Sequence, residues 1–287
     1  MTVSVIIVNW NAGAALEACV QSLVAGGDGR DVVLVDNGST DGSLERVRAA
    51  FPDLVVVETG TNLGFAAGAN RGAGVARGDV LVFLNPDARL LPGALRTLVA
   101  ALLGAPAAGI AGGGLIAADG RWQPAAARFG PVAHLLLDTT PGRLPARLRR
   151  EPHAVEWVYG TFMAVRRDLF QQLGGFDARY FLYGEDMDLC FRAARVGAHT
   201  IHVPGARAVH GANLSAVQRY GAGREAEVVR GEMRFYAARG RPGALTVFRA
   251  LATCKFGLKT AAAVLLGRRA TARTYGRVVR ACLVFEG

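Results

Sequence analysis

The stretch Val80-Leu81-Val82-Phe83-Leu84-Asn85-Pro86-Asp87-Ala88 decides the fold. Its unbroken apolar run predicts a strand that is buried on both faces, as in a parallel sheet. Pro86 cannot continue the ladder of hydrogen bonds, so the strand ends there. Asp87 then lies at the carboxyl end of a central strand, where ligands bind in open α/β sheets. A carboxylate there can hold a divalent cation, although an Asn-Pro-Asp turn can also do no more than cap the next helix.

Strand-like runs and helical patterns alternate on both sides of that stretch. Apolar, β-branched runs predict strands at 3–8, 31–35, 54–58 and 80–84. Helical spacing predicts helices at 14–25, from a cap at Thr40 or Asp41 to about residue 50, after 62–70, and at 92–103. Alternation of this kind predicts an α/β fold whose sheet is mostly parallel, with right-handed crossovers.

The second half of the sequence predicts a less regular succession of elements. We expect a strand at 109–116 with a hairpin turn at 118–121, and two strands joined by a Gly-Thr turn within 154–166. A helix stop falls at 173–177, a helix follows Gly184 to about Val196, a short strand covers 199–203, and a helix covers 216–238. Between them, 125–153 predicts a long surface loop with a basic cluster, which is either a lid or merely irregular: Arg143, Arg147, Arg149 and Arg150.

Polar side chains follow three of the predicted strands directly. They are Asn9 and Asn11, then Asp36 and Asn37, then Asn85 and Asp87. Turn chemistry explains each pair singly, but three pairs at corresponding strand ends predict one nucleotide pocket. The phosphate loops of P-loop enzymes and of redox dinucleotide enzymes are missing from the sequence, which argues against both classes.

A second acidic group begins the helix after Gly184. Glu185, Asp186 and Asp188 fall within four residues at a helix N-terminus. Negative charge at this end suits the helix dipole, so a purely structural role is the simpler interpretation of composition alone. His210 stands alone in its segment, and a lone histidine is more often structural than catalytic.

Cysteine usage and the N-terminal sequence predict the compartment. The four cysteines are scattered and form no C-x-x-C pair, which argues against a zinc site or a disulfide framework and fits a reducing compartment. The N-terminal residues have the pattern of a first strand and not of a signal peptide. No apolar run approaches the ~18 residues that a membrane span needs.

The positive charge of the chain is concentrated in its tail. Residues 241–287 hold nine Arg and Lys residues and one acid, a net +8 of the chain's +10, which leaves +2 for residues 1–240. Two helices with mixed apolar and basic positions, at 243–266 and 270–285, predict binding to a membrane surface. A solvated helical appendage is the alternative. A basic nucleic-acid-binding protein is the third possibility, but the sequence contains no recognised nucleic-acid motif.

The order of the motifs resembles that of the family 2 glycosyltransferases, which have the GT-A fold. The resemblance covers about residues 1–215 and is carried by five segments: Val5–Asn11, Val35–Ser43, Asn62–Asn70, Leu84–Asp87 and Gly184–Arg192. Each segment is weak alone, and the five together in this order are specific. The sequences of the first, third and fourth segments are similar to those of the rhamnosyltransferase branch. The resemblance implies a Rossmann-like α/β domain, which we expect over 1–240. The charge and the helical spacing predict the basic tail over 241–287 that follows it.

The resemblance implies roles for the polar residues at the strand ends. Asp36 would bond the pyrimidine base, with Asn9, Asn11 and Asn37 in the nucleotide pocket, and Asn70 and Arg77 would position the nucleotide. Asp87, with Asn85 beside it and His210 near it, would hold Mg²⁺ or Mn²⁺ against the diphosphate. Where family members often have D-x-D, this chain has Asn85-Pro86-Asp87. Because asparagine is a neutral ligand, we expect weaker metal binding and a less strict dependence on metal.

The resemblance also implies a general base and an acceptor site. Asp186 would take the proton of the acceptor hydroxyl, a role worth about 10²–10⁴-fold in rate. Glu185 is the competing candidate, and adjacent helix residues point about 100° apart, so both cannot face the substrate equally. Asp188 would pair with Arg192 at i+4. Gly160 and Thr161 would line the acceptor site, since glycine permits close approach.

The function that these roles imply is an inverting transfer of a sugar, rhamnose by the branch resemblance, from a nucleoside-diphosphate sugar. The acceptor would be a glycan or a polyprenyl-diphosphate-linked sugar in cell-surface polysaccharide synthesis, at the inner face of the cell membrane. The expected partners include the membrane surface and exclude nucleic acid. The alternative is a basic membrane- or nucleic-acid-binding protein with a non-catalytic nucleotide-sugar pocket.

Overall fold

The alternation of strands and helices in the first half of the chain is confirmed. The structure is a computed structural model that describes residues 1–26, 31–132, 150–211, 219–240 and 242–285. Its first elements are β1 Val3–Asn9, α1 Ala14–Ala25, β2 Val32–Asp36, α2 Ser43–Ala50, β3 Val55–Glu58, α3 Phe65–Val75 and β4 Val80–Leu84.

The rest of the chain supplies the remaining strands and six further α-helices within the described residues. They are β5 Ala88–Leu90, α4 Ala94–Gly104, β6 Ala108–Ile116, β7 Trp122–Gln123, β8 Ala126–Ala127, β9 His153–Val155, β10 Trp157–Val158 and β11 Phe162–Arg166. After these come α5 Arg167–Gln172, α6 Glu185–Arg195, β12 His199–His210, a 3₁₀ turn at Gly221–Gly223, α7 Arg224–Arg239, α8 Ala244–Leu265 and α9 Arg269–Leu283.

The central sheet is mixed, with a parallel half and an antiparallel insertion. Its strand order is β3-β2-β1-β4-β11-β6-β12-β5, and the first four strands run parallel. β11 runs antiparallel between β4 and β6, and β12 is parallel to β6. The mostly parallel α/β sheet predicted from the alternation is therefore confirmed, with β11 as a reversed strand between β4 and β6.

Each face of the sheet buries its own core, because successive side chains of a strand point to opposite faces. Ile6 and Val8 of β1 pack on the face covered by α3 and α6, whereas Val5 and Ile7 pack on the face covered by α1 and α4. All four side chains are buried. The five residues of β4 are also buried on both faces, as the opening stretch predicts.

The short strand β5 was not predicted, and it determines where the metal-candidate residues lie. After β4 the chain turns at 85–87 and then pairs antiparallel with the end of β12, so that Ala88 is opposite His210. β12 is longer than predicted because the strand continues past an irregularity between Val203 and Arg207. The pairing of β5 with β12 brings Asp87 next to a histidine that is 123 positions away in the sequence.

A few boundaries differ from the sequence predictions. The helix predicted at 216–238 begins at Arg224, after the 3₁₀ turn. The N-cap of α2 is Gly42, in a left-handed conformation, and not Thr40 or Asp41 as predicted. The Asp41 carboxylate, one residue before the cap, accepts a hydrogen bond from the Ser43 amide at 3.0 Å. Most of the predicted loop with its basic cluster, 133–149, lies outside the described residues.

The C-terminal helices pack on the rest of the fold. Tyr236 of α7 stacks on Phe248 of α8 with ring centroids 4.8 Å apart, and Phe248 and Val278 belong to the same core as α6. Two cations stabilise the buried carboxylate of Asp188: Arg192 at 2.6 Å, as predicted, and Arg239 of α7 at 2.8 Å. The division of the chain at residue 240 stays a prediction.

Among the helices that the structure describes, none combines the length and the hydropathy that a membrane span requires.

Candidate active site

A cavity of about 680 Å³ opens at the carboxyl ends of the parallel strands. Asn37 reaches it from the end of β2, and Asn85 and Asp87 reach it from the turn after β4. Gly160 to Thr161, Phe181 to Met187, and parts of α7 and α8 form the other walls. The predicted position of the pocket, at the strand ends, is therefore the position of this cavity.

The loops around the cavity are fixed by close backbone contacts. The Phe65 amide donates a hydrogen bond to the Phe181 carbonyl at 2.8 Å. Gly64 has φ +84°, and a Cβ there would come within 2.3 Å of the Phe181 carbonyl oxygen, so glycine is required. The N-L-G-F segment thus holds the loop that leads to α6 and its carboxylates.

Asp87 and His210 form one polar centre of the cavity. His210 Nε2 lies 3.4 Å from Asp87 Oδ1, and both side chains are 5% exposed. Gln123 donates from Nε2 to the His210 carbonyl at 3.3 Å, so its Oε1 faces His210 Nδ1 at 3.0 Å. In the neutral ring this contact places the proton on Nδ1, and the lone pair of Nε2 then points toward the carboxylate.

This centre fits a divalent cation. Within the described residues, the buried His210 Nε2 has no hydrogen-bond partner. A nitrogen lone pair that faces a carboxylate is unfavourable unless the two groups share a cation. Imidazole and carboxylate both ligate Mn²⁺, whereas Mg²⁺ prefers oxygen ligands. No group of three or more acidic, histidine or cysteine side chains that could hold a metal occurs among the described residues, so a cation here needs further ligands from its substrate.

Asp186 forms the second polar centre. Its Oδ2 accepts a hydrogen bond from the Gly160 amide at 2.9 Å, and its Oδ1 accepts one from the Met187 amide at 2.7 Å. Burial raises the pKa of Asp186 from 3.8 to about 6, against the lowering effect of the two amides. A carboxylate with this pKa is ionised at neutral pH and is basic enough to accept a proton.

Glu185, beside Asp186, has a different environment and a different expected protonation state. It is 5% exposed, and its Oε2 has no hydrogen-bond partner among the described residues. Burial, and then the negative charge of Asp186, raise the pKa of Glu185 well above its usual value. We therefore expect Glu185 to stay protonated where Asp186 is ionised.

Asn9 does not line the cavity, contrary to the sequence prediction. It is fully buried, and its Nδ2 lies 2.9 Å from Asp36 Oδ1, from Ser39 Oγ and from Ser43 Oγ. Asp36 is also buried, and its Oδ2 accepts the Ser39 amide at 2.9 Å. Asn9 therefore supports Asp36, whose contact with a base stays a prediction.

Asn70 and Arg77 are also placed away from the cavity. The Asn70 side chain bonds the backbone of Phe176, donating to its carbonyl at 2.8 Å and accepting from its amide at 2.9 Å. Arg77 is exposed near the start of β4, where its amide bonds Ser4 Oγ at 3.1 Å. Arg77 therefore lies at the amino edge of the sheet, whereas the cavity is at the carboxyl edge, and Asn70 holds the backbone of Phe176. The nucleotide contacts of both residues stay predictions.

The other predicted residues lie at or beside the cavity. Asn37 lines it, with its Nδ2 bonded to the Gly64 carbonyl at 2.9 Å. Asn85 and Thr161 line it together, with Asn85 Nδ2 at 3.4 Å from Thr161 Oγ1. Asn11 adopts a positive φ of 52° and accepts the Thr40 amide at 2.8 Å. Their contacts with substrates stay predictions.

Several lining residues were missed by the sequence analysis: Trp10, Phe181, Tyr183, Arg219, Arg224 and Lys255. Tyr183 has φ 70°, a strained conformation for a residue with a side chain, directly before the left-handed Gly184. The position of Tyr183 directly before the acidic motif was a signal in the sequence that it lies at the site. The sequence contains no such signal for Arg219, Arg224 and Lys255, because the position of their helices over the cavity depends on tertiary packing.

The sheet order and the position of the cavity are those of the GT-A fold. Two solved structures share it. Mannosyltransferase PcManGT from Pyrobaculum calidifontis, in complex with GDP-Man and Mn²⁺, is 21% identical with a TM-score of 0.63, over 98% of this chain and 86% of that one. GalNAc-T7 with UDP, GalNAc and Mn²⁺ is 20% identical with a TM-score of 0.58, over 83% and 50%. At these identities the likeness shows the fold alone.

The chain belongs to glycosyl transferase family 2, whose family model matches residues 4–174. It is 33% identical over 229 residues to the N-acetylglucosaminyl-diphospho-decaprenol L-rhamnosyltransferase of Mycobacterium tuberculosis, covering 72% of this chain and 75% of that one. It is 34% identical over 79 residues to rhamnosyltransferase WbbL of Escherichia coli (strain K12), covering 28% and 30%. The predicted family and rhamnosyltransferase resemblance are thereby confirmed, and the chain is a nucleotide-sugar glycosyltransferase.

Proposed function

We propose that the chain transfers rhamnose, with inversion, from a deoxythymidine- or uridine-diphosphate sugar to a polyprenyl-diphosphate-linked acceptor. The resemblance to the mycobacterial rhamnosyltransferase over most of both chains supports the sugar and the acceptor. The observation that carries the proposal is the pair of chemically distinct centres in one cavity, Asp87 with His210 and Asp186 with Gly160. The centre at Asp87 and His210 suits the departing diphosphate, and the centre at Asp186 suits the attacking hydroxyl.

The donor diphosphate would bind at Asp87 and His210. These two side chains would hold Mg²⁺ or Mn²⁺, which supplies electrostatic stabilisation of the negative charge on the leaving diphosphate. Gln123 keeps the His210 ring in the tautomer whose Nε2 is free to ligate. Asn37, Asn85 and the aromatic face of Trp10 line the same cavity and would orient the nucleotide and sugar.

The acceptor hydroxyl would be activated by Asp186. As the hydroxyl oxygen forms its bond to the anomeric carbon, its proton passes to the Asp186 carboxylate. The bond from that carbon to the diphosphate oxygen breaks, and the nucleoside diphosphate leaves with the electron pair. Attack on the face opposite the leaving group inverts the anomeric carbon. The amides of Gly160 and Met187 hold the carboxylate in place during the transfer.

We also propose that the α8–α9 turn binds the surface of an anionic membrane, at the inner face of the cell membrane. Leu265 is 87% exposed, and Leu258, Val264 and Leu266 are exposed with it. Basic residues flank them in the sequence: Lys259, Arg268, Arg269 and Arg273. The described part of the tail, 242–285, contains no acid. Exposed apolar and basic side chains together are typical of membrane-surface helices, and the proposal includes no nucleic-acid partner.

Changing both Leu265 and Leu266 to Asp is expected to abolish binding to vesicles that contain an anionic phospholipid. Burial of one leucine side chain is worth about 1.5–3 kcal/mol, so each change should weaken partitioning at least roughly tenfold. Flotation with phosphatidylglycerol vesicles measures this. Val75→Asp, an exposed valine on α3, is the control and should float like the wild type. Equal flotation of the double variant and the wild type would refute the membrane surface.

The proposed function is tested by offering a panel of nucleotide sugars, each with and without Mg²⁺ or Mn²⁺, together with a polyprenyl-diphosphate-linked N-acetylglucosamine. We expect one rhamnose donor to be consumed, with formation of a product of inverted anomeric configuration, which NMR identifies. Binding of no nucleotide sugar at any metal concentration would overturn the proposal.

A further inference from the structure

One face of α7 forms a wall of the cavity. Arg224, Glu225, Val228, Val229 and Glu232 all line it, at the spacing that places residues on one side of a helix. Arg224 and Glu232 are eight residues apart, which is about 12 Å along the helix axis. The α7 helix therefore spans a long wall of the cavity, with a cation at its first residue and Glu232 toward the other end.

The α7 wall is fixed against the segment that carries the base. Gly231 lies so close to the loop before α6 that a Cβ would come within 2.4 Å of the Tyr183 carbonyl oxygen. The Glu232 end of α7 thus crosses beside Glu185 and Asp186. From this crossing the helix axis continues for about 12 Å to Arg224 at the other end of the wall.

Among the described residues, three Arg and Lys side chains line the cavity, and they come from the C-terminal third of the chain: Arg219, Arg224 and Lys255. The Arg219 guanidinium lies 4.2 Å from the centroid of the Phe181 ring and 5.8 Å from that of Trp10, so aromatic faces hold it while its N–H groups remain donors. Glu225 follows Arg224 on the same wall and is the one acid of the α7 face at that end.

Arg224 lies close to the strained residue of the cavity. Burial raises the pKa of the Tyr183 phenol to about 12, and the nearby charge of Arg224 opposes that rise. Tyr183 holds a φ of 70° immediately before the acidic motif, and backbone strain of this kind concentrates at ligand sites. Arg224 and the Tyr183 phenol thus lie together, and the Arg219 guanidinium lies on the ring of Phe181, two residues before Tyr183.

The cations come from other elements than the centre at Asp87 and His210. That centre is at the ends of β4 and β12 and carries a carboxylate, so it needs a cation before it can hold a diphosphate. Guanidinium and ammonium groups bind phosphate oxygens directly, without a metal. The cavity is thus lined by two kinds of group that can serve an anion, and a transfer between two diphosphate-bearing substrates requires two such sites.

We propose that Arg224 and Lys255 form the subsite for the diphosphate of the lipid-linked acceptor, with Tyr183 beside it. This inference rests on the proposed function, whose acceptor it locates. The sugar of the acceptor would extend from this subsite toward Asp186, and the polyprenyl chain would extend the other way.

The α8 helix provides the route for the lipid. Lys255 and Phe256 are the α8 residues that line the cavity, and Leu258 follows with its side chain exposed. Leu265 is ten residues beyond Lys255, about 15 Å along the helix. One helix thus connects the cationic subsite to the apolar α8–α9 turn, so a lipid bound by its diphosphate can remain in the membrane surface that the turn contacts.

The subsite is tested by titrating farnesyl diphosphate into the full chain, with Mg²⁺ and a saturating concentration of dTDP or UDP to fill the donor site. Isothermal calorimetry measures the affinity for Arg224→Gln and Lys255→Gln. We expect each variant to bind farnesyl diphosphate roughly ten- to a hundredfold more weakly, because it loses a charge-assisted hydrogen bond. Their affinity for the nucleoside diphosphate should change by less than about twofold, which also shows that they fold.

Arg234→Gln is the matched control, since Arg234 is an exposed arginine on the same helix, outside the cavity. It should bind farnesyl diphosphate like the wild type. Inorganic pyrophosphate should need Arg224 as well but bind more weakly, because it lacks the apolar chain. Equal binding by Arg224→Gln and the wild type, or farnesyl diphosphate that binds only when the nucleotide is absent, would overturn the subsite. Failure of both dTDP and UDP to bind the wild type would instead count against the proposed function.

Discussion

Replacing Asp186 with asparagine is expected to abolish sugar transfer while leaving donor binding intact. Asparagine has nearly the same shape and keeps an oxygen for one of the two amides that hold Asp186, but it cannot accept the proton of the acceptor hydroxyl. Loss of a general base lowers the rate by about 10²–10⁴-fold. Single-turnover transfer to the lipid-linked acceptor, together with nucleotide-sugar binding by calorimetry, measures the two effects separately.

The pH dependence of the wild type provides a second measurement of the same group. Because Asp186 must be ionised to act as a base, and because its pKa is about 6, kcat/KM should be constant above that pH. It should then fall about tenfold for each pH unit below it, as the carboxylate becomes protonated. The residual activity of Asp186→Asn should lack this step.

Unfolding does not account for the expected loss of activity. The raised pKa means that the fold disfavours the charged form of Asp186, so its contribution to stability is lost as pH rises from 3.8 through about 6. A neutral asparagine removes this cost but leaves one of the two amides without an acceptor, at a cost of about 1–3 kcal/mol, so Asp186→Asn should have a stability close to that of the wild type at pH 7. Urea denaturation checks this.

Glu185→Gln distinguishes the two candidate bases. Since Glu185 is already expected to be neutral, a neutral amide of similar size should cost much less activity than Asp186→Asn and should retain the step near pH 6. If Glu185→Gln causes the larger loss and removes the step, Glu185 is the base and the assignment of Asp186 is wrong.

The fold was predictable because its first half is built from local signals. Val80–Leu84 is apolar throughout and is buried on both faces, and the helices that follow each strand have their own amphipathic spacing. Such patterns need no knowledge of distant contacts. β5 could not be predicted in this way, since three residues have no strand signal and the strand exists only because β12 pairs with it.

The candidate site was predictable only where a residue's position follows from its own strand. Asp87 and Asn85 lie at the cavity because β4 ends before them. Asn9 follows β1 in the same way, but its side chain turns inward to Asp36, a choice that sequence does not reveal. Arg77 was assigned from motif resemblance alone, and the register of β4 places it at the opposite edge. Arg224 and Lys255 reach the cavity only through the packing of α7 and α8.

Asp87→Asn is expected to lower both Mn²⁺ affinity and the rate of transfer. The change keeps the shape of the side chain but removes the negative charge that faces His210 Nε2 at 3.4 Å. A neutral oxygen holds a divalent cation more weakly, and the leaving diphosphate then loses much of its electrostatic stabilisation, which we expect to cost roughly 10²–10³-fold in rate. Electron paramagnetic resonance of free Mn²⁺, in the presence of the nucleoside diphosphate, measures the binding without reference to activity.

Gln123→Leu should produce a smaller effect through the same centre. Without the Gln123 Oε1 acceptor at 3.0 Å, His210 can place its proton on Nε2 and lose the ligating lone pair. Loss of a group that orients a ligand typically costs about 10–100-fold in metal affinity. Asp119→Asn, on an exposed hairpin, is the matched carboxylate control and should change neither quantity. If Asp87→Asn keeps the Mn²⁺ affinity and the rate of the wild type, the Asn-Pro-Asp turn serves only to join β4 to β5, and the departing diphosphate must be stabilised elsewhere in the cavity.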